Sequence, residues 1–234
     1  METSLKPEAT LSLLRTNSVT QVVRESVEML ILDGTLMPGQ HVSEVSFSTR
    51  LQVSRGPVRE ACRALVEAGL LVFHVNRGFF VRELTLQEVS DVYEVRGCLA
   101  RLAGRTLASM ISATQIEHLR DMVAEMDKAN EDRDFEKFYR LNLEFHERII
   151  EFTGNRRLLS IHQALTKELH IFRRRGLYPG RNTFEANLEH HEIVEALVAR
   201  EAERVGASSE RHVLHGKERF LAAAGKDIRR SEGR

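Results

Sequence analysis

Three histidines stand where helical spacing turns their side chains toward an interior. Asn142, Phe145, His146 and Ile149 fall at i, i+3, i+4 and i+7, so an amide and an imidazole share one apolar stripe. His190 shares a stripe with Ile193, Val194 and Leu197, whereas His191 aligns with Glu195 and Val198, a poorer inward face. His212 follows Val205 and Ser209 on a third stripe. Three helices aiming imidazoles at one interior, with the Asn142 amide oxygen able to join them, make a donor set of three nitrogens and one oxygen. That set suits Zn²⁺, Ni²⁺ or similar borderline divalent ions. The alternative for each histidine taken singly is a hydrogen-bonded core residue.

A second chemistry lies nearer the N-terminus, in the run Ser54-Arg55-Gly56-Pro57-Val58-Arg59-Glu60-Ala61-Cys62-Arg63. Arg55 and Arg59 are four residues apart and share a helix face, while Val58, Ala61, Leu65 and Val66 occupy the buried side. Arginines at a helix N-terminus present guanidinium forks to guanine O6 and N7, and the first backbone N–H groups hold phosphate. The competing reading is a solvated charged helix. The chain balances 34 basic against 34 acidic residues, which excludes a general polyanion binder. Between residues 50 and 82, however, six arginines face two acids, Glu60 and Glu67, a pattern for local contact with DNA phosphates.

The elements that must position these groups fall into two textures. Residues 1–17 are polar and aperiodic and are expected to form a mobile arm. Residues 18–82 then predict a helix over 19–32, a stop at Asp33-Gly34, a turn at Pro38-Gly39 and a short helix over about 43–51. Ser54 is the expected N-cap of a third helix that ends at Gly69. Two β-like runs, Leu70-Leu71-Val72-Phe73 and Gly78-Phe79-Phe80-Val81, form a small hairpin. That is the plan of a winged helix-turn-helix. Residues 84–224 carry leucine, alanine and charge at helical spacing without strand signals, with breaks near Ser112, 130–133, Gly154-Asn155, 176–182 and Glu201. They predict an all-α bundle of about six helices, followed by a polar tail over 225–234. The fold class expected is therefore mostly α. No stretch approaches the roughly 18 apolar residues of a membrane span, no signal peptide is seen, and a cytoplasmic protein is expected. Cys62 and Cys98 show no ligand spacing and are expected to be buried free thiols.

Several segments together resemble the GntR family of bacterial regulators: Ile31-x-x-Gly34-x-Leu36-x-Pro38-Gly39, Val53-Ser54-Arg55-Gly56-Pro57-Val58-Arg59-Glu60-Ala61, Leu65-x-x-x-Gly69-Leu70 and Arg77-Gly78-Phe79-Phe80-Val81. The resemblance implies a DNA-binding transcription regulator. It makes Arg55 and Arg59 base or phosphate contacts, Ser54 a phosphate contact and Arg77-Gly78 the tip of the wing. Gly56 and Cys62 depart from the threonine and leucine usual there. The helical half is similar to the FCD effector-binding domain through Asp91-x-Tyr93-Glu94-x-Arg96, Asn142-x-x-Phe145-His146, Gly154-Asn155, His190-x-x-Ile193-x-Glu195-Ala196 and His212.

This second resemblance implies a metal held by Asn142, His146, His190 and His212, and a small carboxylate effector gripped by Arg96. It also implies a homodimer on palindromic operator DNA, most often a repressor. The family commonly has aspartate at position 142 and glutamate at position 100, where this chain has Asn142 and Ala100. Two alternatives stay open: a bundle that only dimerises, and a metal-dependent enzyme fused to a DNA-binding domain. Against the enzyme, His146-Glu147 and His191-Glu192 begin like a zinc-protease motif but are completed by Ile150 and Glu195 rather than histidine.

Overall fold

The computed structural model describes the backbone of residues 7–173 and 183–232 and the side chains of 19–170 and 183–224. The chain divides between Glu83 and Leu84 into two compact units.

The first unit runs α1 (Pro7–Leu32), β1 (His41–Val42), α2 (Glu44–Leu51), α3 (Arg55–Glu67), β2 (Leu71–His74) and β3 (Gly78–Val81). Helix α1 begins inside the segment expected to be an arm. Pro7 suits a first helical turn, where its missing N–H is no loss, and Glu8, Ala9, Leu11, Leu13 and Leu14 are strong helix formers. The absent apolar stripe was evidence about burial, not about helix formation. Val23, Val27 and Ile31 of α1 meet Phe47 of α2, Val58, Ala61 and Leu65 of α3, and Leu71, Phe79 and Val81 of the strands in one core. Ser43 caps α2 by accepting from Ser46 N, and Gln52, in the left-handed region at φ 53°, closes it. Three residues later, at Arg55, α3 starts, which sets the tight turn between the paired helices.

The strands make an antiparallel sheet in the order β1-β3-β2, with Leu71 opposite Val81, Phe73 opposite Phe79 and His41 opposite Phe80. The sequence pattern showed only the hairpin, because a two-residue strand carries no period. Cys62 is fully buried, and that burial pushes its thiol up to about 12, leaving it inert. Cys98 departs from expectation: it is exposed.

The second unit is all-helical in the described residues: α4 (Leu86–Ala108), α5 (Ala113–Glu131), α6 (Phe135–Phe152), α7 (Arg156–Arg173), α8 (Thr183–Val198) and α9 (Ala202–Glu232). Capping boxes at Thr85/Glu88 and Ser112/Gln115 start α4 and α5. Gly154, at φ 69°, ends α6, and Asn155 Oδ1 accepts from Leu158 N to start α7. The break expected over 176–182 lies outside the described residues. Helix α9 continues through the expected polar tail as far as Glu232, for the same reason that α1 begins early: a sequence without an apolar stripe can still form helix. Leu107, Leu119, Val123, Met126, Phe145, Ile149, Ile193, Leu197 and Val205 are core residues shared by five of the six helices.

Helices α4 and α9 pack closely through glycine. A Cβ at Gly104 would meet Val205 Cγ1 at 2.9 Å and the Val205 carbonyl oxygen at 3.0 Å. At least the second of these cannot swing aside, because it belongs to helix backbone. Gly104→Ala is expected to destabilise the bundle by about 1–3 kcal/mol, read as a lower urea midpoint with an unchanged m-value. A midpoint equal to that of the unsubstituted protein would mean the helices can separate freely.

Candidate functional site

Arg55 opens α3 and is exposed; Ser54 stands at the N-cap but its hydroxyl makes no capping bond, so it faces solvent. Gly56 is also exposed, and a Cβ there would touch nothing within 4 Å. Arg59, one turn on, is anchored rather than loose. Its Nε and Nη2 donate to Glu44 Oε2 of α2 at 3.1 and 2.9 Å. The two α3 arginines thus differ: Arg55 is exposed at the helix start, while Arg59 is held by the preceding helix.

On the wing, Arg77 lies in the tight turn between β2 and β3, and its guanidinium sits 5.3 Å from the centroid of the Phe80 ring. Gly78 has φ +89°, and a Cβ there would come within 3.2 Å of His41 Nε2. Both facts reserve the position for glycine.

In the helical unit, His146 of α6, His190 of α8 and His212 of α9 converge, with ligand atoms within 4.8 Å of one another. His212 Nε2 lies 3.0 Å from His146 Nε2 and 3.1 Å from His190 Nε2. The surrounding bonds fix the tautomers. Asn187 Nδ2 donates to Val123 O and Asp127 Oδ1, so its Oδ1 accepts the His190 Nδ1 proton at 3.0 Å. Glu189 Oε2 accepts the His212 Nδ1 proton at 2.6 Å. Nε2 of both rings therefore carries a lone pair.

One proton on His146 Nε2 could serve the contact to His212, but the His190–His212 contact would still set lone pair against lone pair. A shared cation satisfies all three nitrogens, so the residues present fit a divalent metal. Burial first, then the neighbouring His212 and His190, hold His146 well below the ordinary imidazole range. Burial does the same to His190 and, against the pull of Glu189, lowers His212 as well. Burial works to raise the Glu189 carboxyl, but bonds from His212 and Arg219 outweigh it and hold the group below the usual carboxylate range. The rings are thus in the neutral form that metal binding requires.

His190 is buried, whereas His191 is exposed and bonds Asp127 Oδ2 at 2.8 Å. Asn142 is part-buried one turn before His146 on α6. Beside His146 opens a cavity whose polar lining is Arg96, His162 and Ser209, with Ile149, Ile150 and Val213 as apolar walls. Arg96 is buried, 5.7 Å from the Tyr93 ring centroid. Nearby on α4, Glu94 accepts from Lys217 Nζ at 3.0 Å and Asp91 accepts from Gln87 Nε2 at 2.8 Å.

Comparison with known proteins now bears on both halves. The family model for bacterial regulatory proteins of the gntR family matches residues 19–81, and the FCD-domain model matches residues 91–215, more than half of the chain. The chain belongs to the GntR family. This GntR-family regulator is 31% identical to the HTH-type transcriptional regulator YdhC of Bacillus subtilis over 80% of its own length and 83% of that protein's. It is 33% identical to the Nta operon transcriptional regulator of Aminobacter aminovorans over 58% of its length and 64% of the relative's. Among solved structures, McbR/YncC of E. coli superposes with TM-score 0.71 at 19% identity, covering 87% and 97% of the two chains. A putative GntR regulator from Rhodococcus sp. RHA1 gives 0.69 at 24%, covering 89% and 98%. These two likenesses carry the fold. No helix among the described residues is long and apolar enough to cross a membrane.

For this GntR-family chain, sequence reasoning passed over His162, Asn187 and Glu189. His162 had a legible signal, since Leu158, His162, Leu165 and Leu169 repeat at helical spacing and put it on the inward stripe of α7. Asn187 and Glu189 had less, because their roles come from bonds to α5 and α9 that no local pattern reveals.

Proposed function

We propose that the chain is a ligand-controlled repressor. Two copies present α3 to a palindromic operator, with Ser54, Arg55 and Arg59 at the major groove and Arg77-Gly78 at the minor groove. The observation that carries ligand control is the buried Arg96 lining the same cavity as His146. A guanidinium accepts a carboxylate as a pair of parallel hydrogen bonds, and burial excludes competing water. A divalent ion such as Zn²⁺ or Ni²⁺, held by His146, His190 and His212 with Asn142 adjacent, supplies a second positive centre for the same carboxylate. Helices α4, α6 and α9 each contribute to the cavity wall, so an occupant acts on the helices that also form the core. The shift in DNA affinity equals the effector's differential affinity for the two arrangements and can be no larger.

The test uses DNA that the protein itself selects from a random-sequence pool, with affinity read by fluorescence anisotropy. A panel of small carboxylates with added Zn²⁺ is expected to contain members that weaken binding by roughly 5–150-fold. If no carboxylate changes operator affinity, with or without metal, ligand control is wrong and the bundle serves dimerisation alone.

A further inference from the structure

The outer face of the small sheet gathers two histidines around one ring. His41 of β1 stands opposite Phe80 of β3, and His74, at the end of β2, stands opposite Gly78. Strand residues two apart share a face, so both imidazoles and Phe80 lie on the side away from the core that Phe79 and Val81 fill. The His41 and His74 ring centroids are 5.0 and 5.3 Å from that of Phe80, the same ring that carries the Arg77 guanidinium. Both histidines are exposed. His41 leans toward the tip, close enough to crowd a Cβ at Gly78, and the His74 carbonyl accepts from Arg77 N in the turn itself. The quadrupole of a phenyl ring attracts a cation, so this platform suits imidazolium ions, but it supplies no anion for them. No acid lies between Gly69 and Arg82. Of the acids next along the chain, Glu44 receives the Arg59 guanidinium, and the Glu83 carboxylate lies over Gly39. Gly39 N bonds Val81 O, so Glu83 and Arg82 sit at the end of β3 away from the turn.

We infer that the wing takes up protons when it binds DNA: His41 and His74, as imidazolium ions, each meet a backbone phosphate beside the groove that Arg77 enters. The inference rests on the wing reaching DNA, as proposed above, and the test separates the two. Histidine is the side chain whose charge ordinarily changes between about pH 5 and 8. A phosphate facing it favours the charged form, so the bound state holds more protons than the free protein, and affinity rises as pH falls. Two phosphates neutralised only at the lower pH also release further counterions, which steepens the salt dependence there. Histidines that served only to pack against Phe80 would produce neither effect.

Full-length protein without effector is titrated by fluorescence anisotropy against its selected DNA at about pH 6 and about pH 8, over several salt concentrations. Affinity is expected to be on the order of tenfold higher at the lower pH, with the slope of log K against log salt steeper there by about two. The double variant His41→Gln with His74→Gln keeps polar side chains that cannot take the proton. Both effects are expected to vanish in it, while its affinity at the higher pH stays that of the parent. His74→Lys fixes one cation in place, and is expected to tighten binding at the higher pH and to remove about half of the pH effect. Equal affinity of the unsubstituted protein at the two pH values, or a pH effect that survives the double substitution, overturns proton uptake at the wing alone. Arg77→Ala that binds the selected DNA as tightly as the parent at both pH values overturns the wing contact itself.

Discussion

His146→Ala is expected to reduce bound metal from about one ion per chain to none after dialysis, measured by elemental analysis of protein prepared without chelator. Loss of a hydrogen-bonding partner of a metal ligand typically costs 10–100-fold in metal affinity, so loss of the ligand itself should cost more. The geometry makes the expectation specific. His146 Nε2 and His190 Nε2 both approach His212 Nε2, and removing one ring leaves a two-nitrogen site. His191→Ala is the matched control, since His191 is adjacent to a cluster member yet exposed on the other face of α8. It should retain the metal. Unsubstituted protein that holds no metal at any pH above about 7, where imidazole is neutral, would refute the site. Full metal content in His146→Ala would refute the assignment of that residue.

Arg55→Ala should weaken operator binding by about 10–100-fold, equivalent to the roughly 1–3 kcal/mol of a bidentate base contact, and should relax sequence preference. Arg55 is exposed at the first residue of α3, so the thermal midpoint should barely move, separating recognition from folding. Arg59→Ala should have a similar effect on affinity, with one addition: it leaves the Glu44 carboxylate, 18% exposed, without its guanidinium and close to the DNA phosphates. Its affinity should therefore fall less steeply with salt than the parent's, because a cation facing the phosphates is lost and the repulsion from Glu44 is screened as salt rises. Anisotropy titrations at several salt concentrations against selected and scrambled DNA measure both effects. Equal affinity of either variant and the parent for the selected sequence would remove that arginine from the interface.

Much of this was legible in the sequence, and the parts that were not share a physical reason. Turn residues such as Gly34, Pro38 and Gly69, and the i, i+3, i+4 spacing around His146 and His190, are local signals, so the helix-turn-helix and the inward histidines could be placed. The N-terminal extent of α1 and the C-terminal extent of α9 could not, because a polar helix shows no periodic stripe. Strand β1 was too short to have a pattern; its existence depends on pairing with β3. Glu189 is next to His190 in the chain but bonds His212, Arg219 and His215 on α9, a role that only the packing of α8 on α9 creates. His162 was visible on its stripe, yet one histidine among leucines is most often a satisfied core residue. Only the cavity shared with Arg96 gives it another meaning.

The contrast between the two cysteines has a practical side. Cys62 is sealed in the DNA-binding core, while Cys98 is exposed on α4, two residues beyond Arg96. The unaltered chain therefore offers a thiol-reactive fluorophore a single attachment point, and that point rides on the helix carrying Arg96. Occupancy of the cavity can be followed optically in the natural sequence, without first building a cysteine-free background.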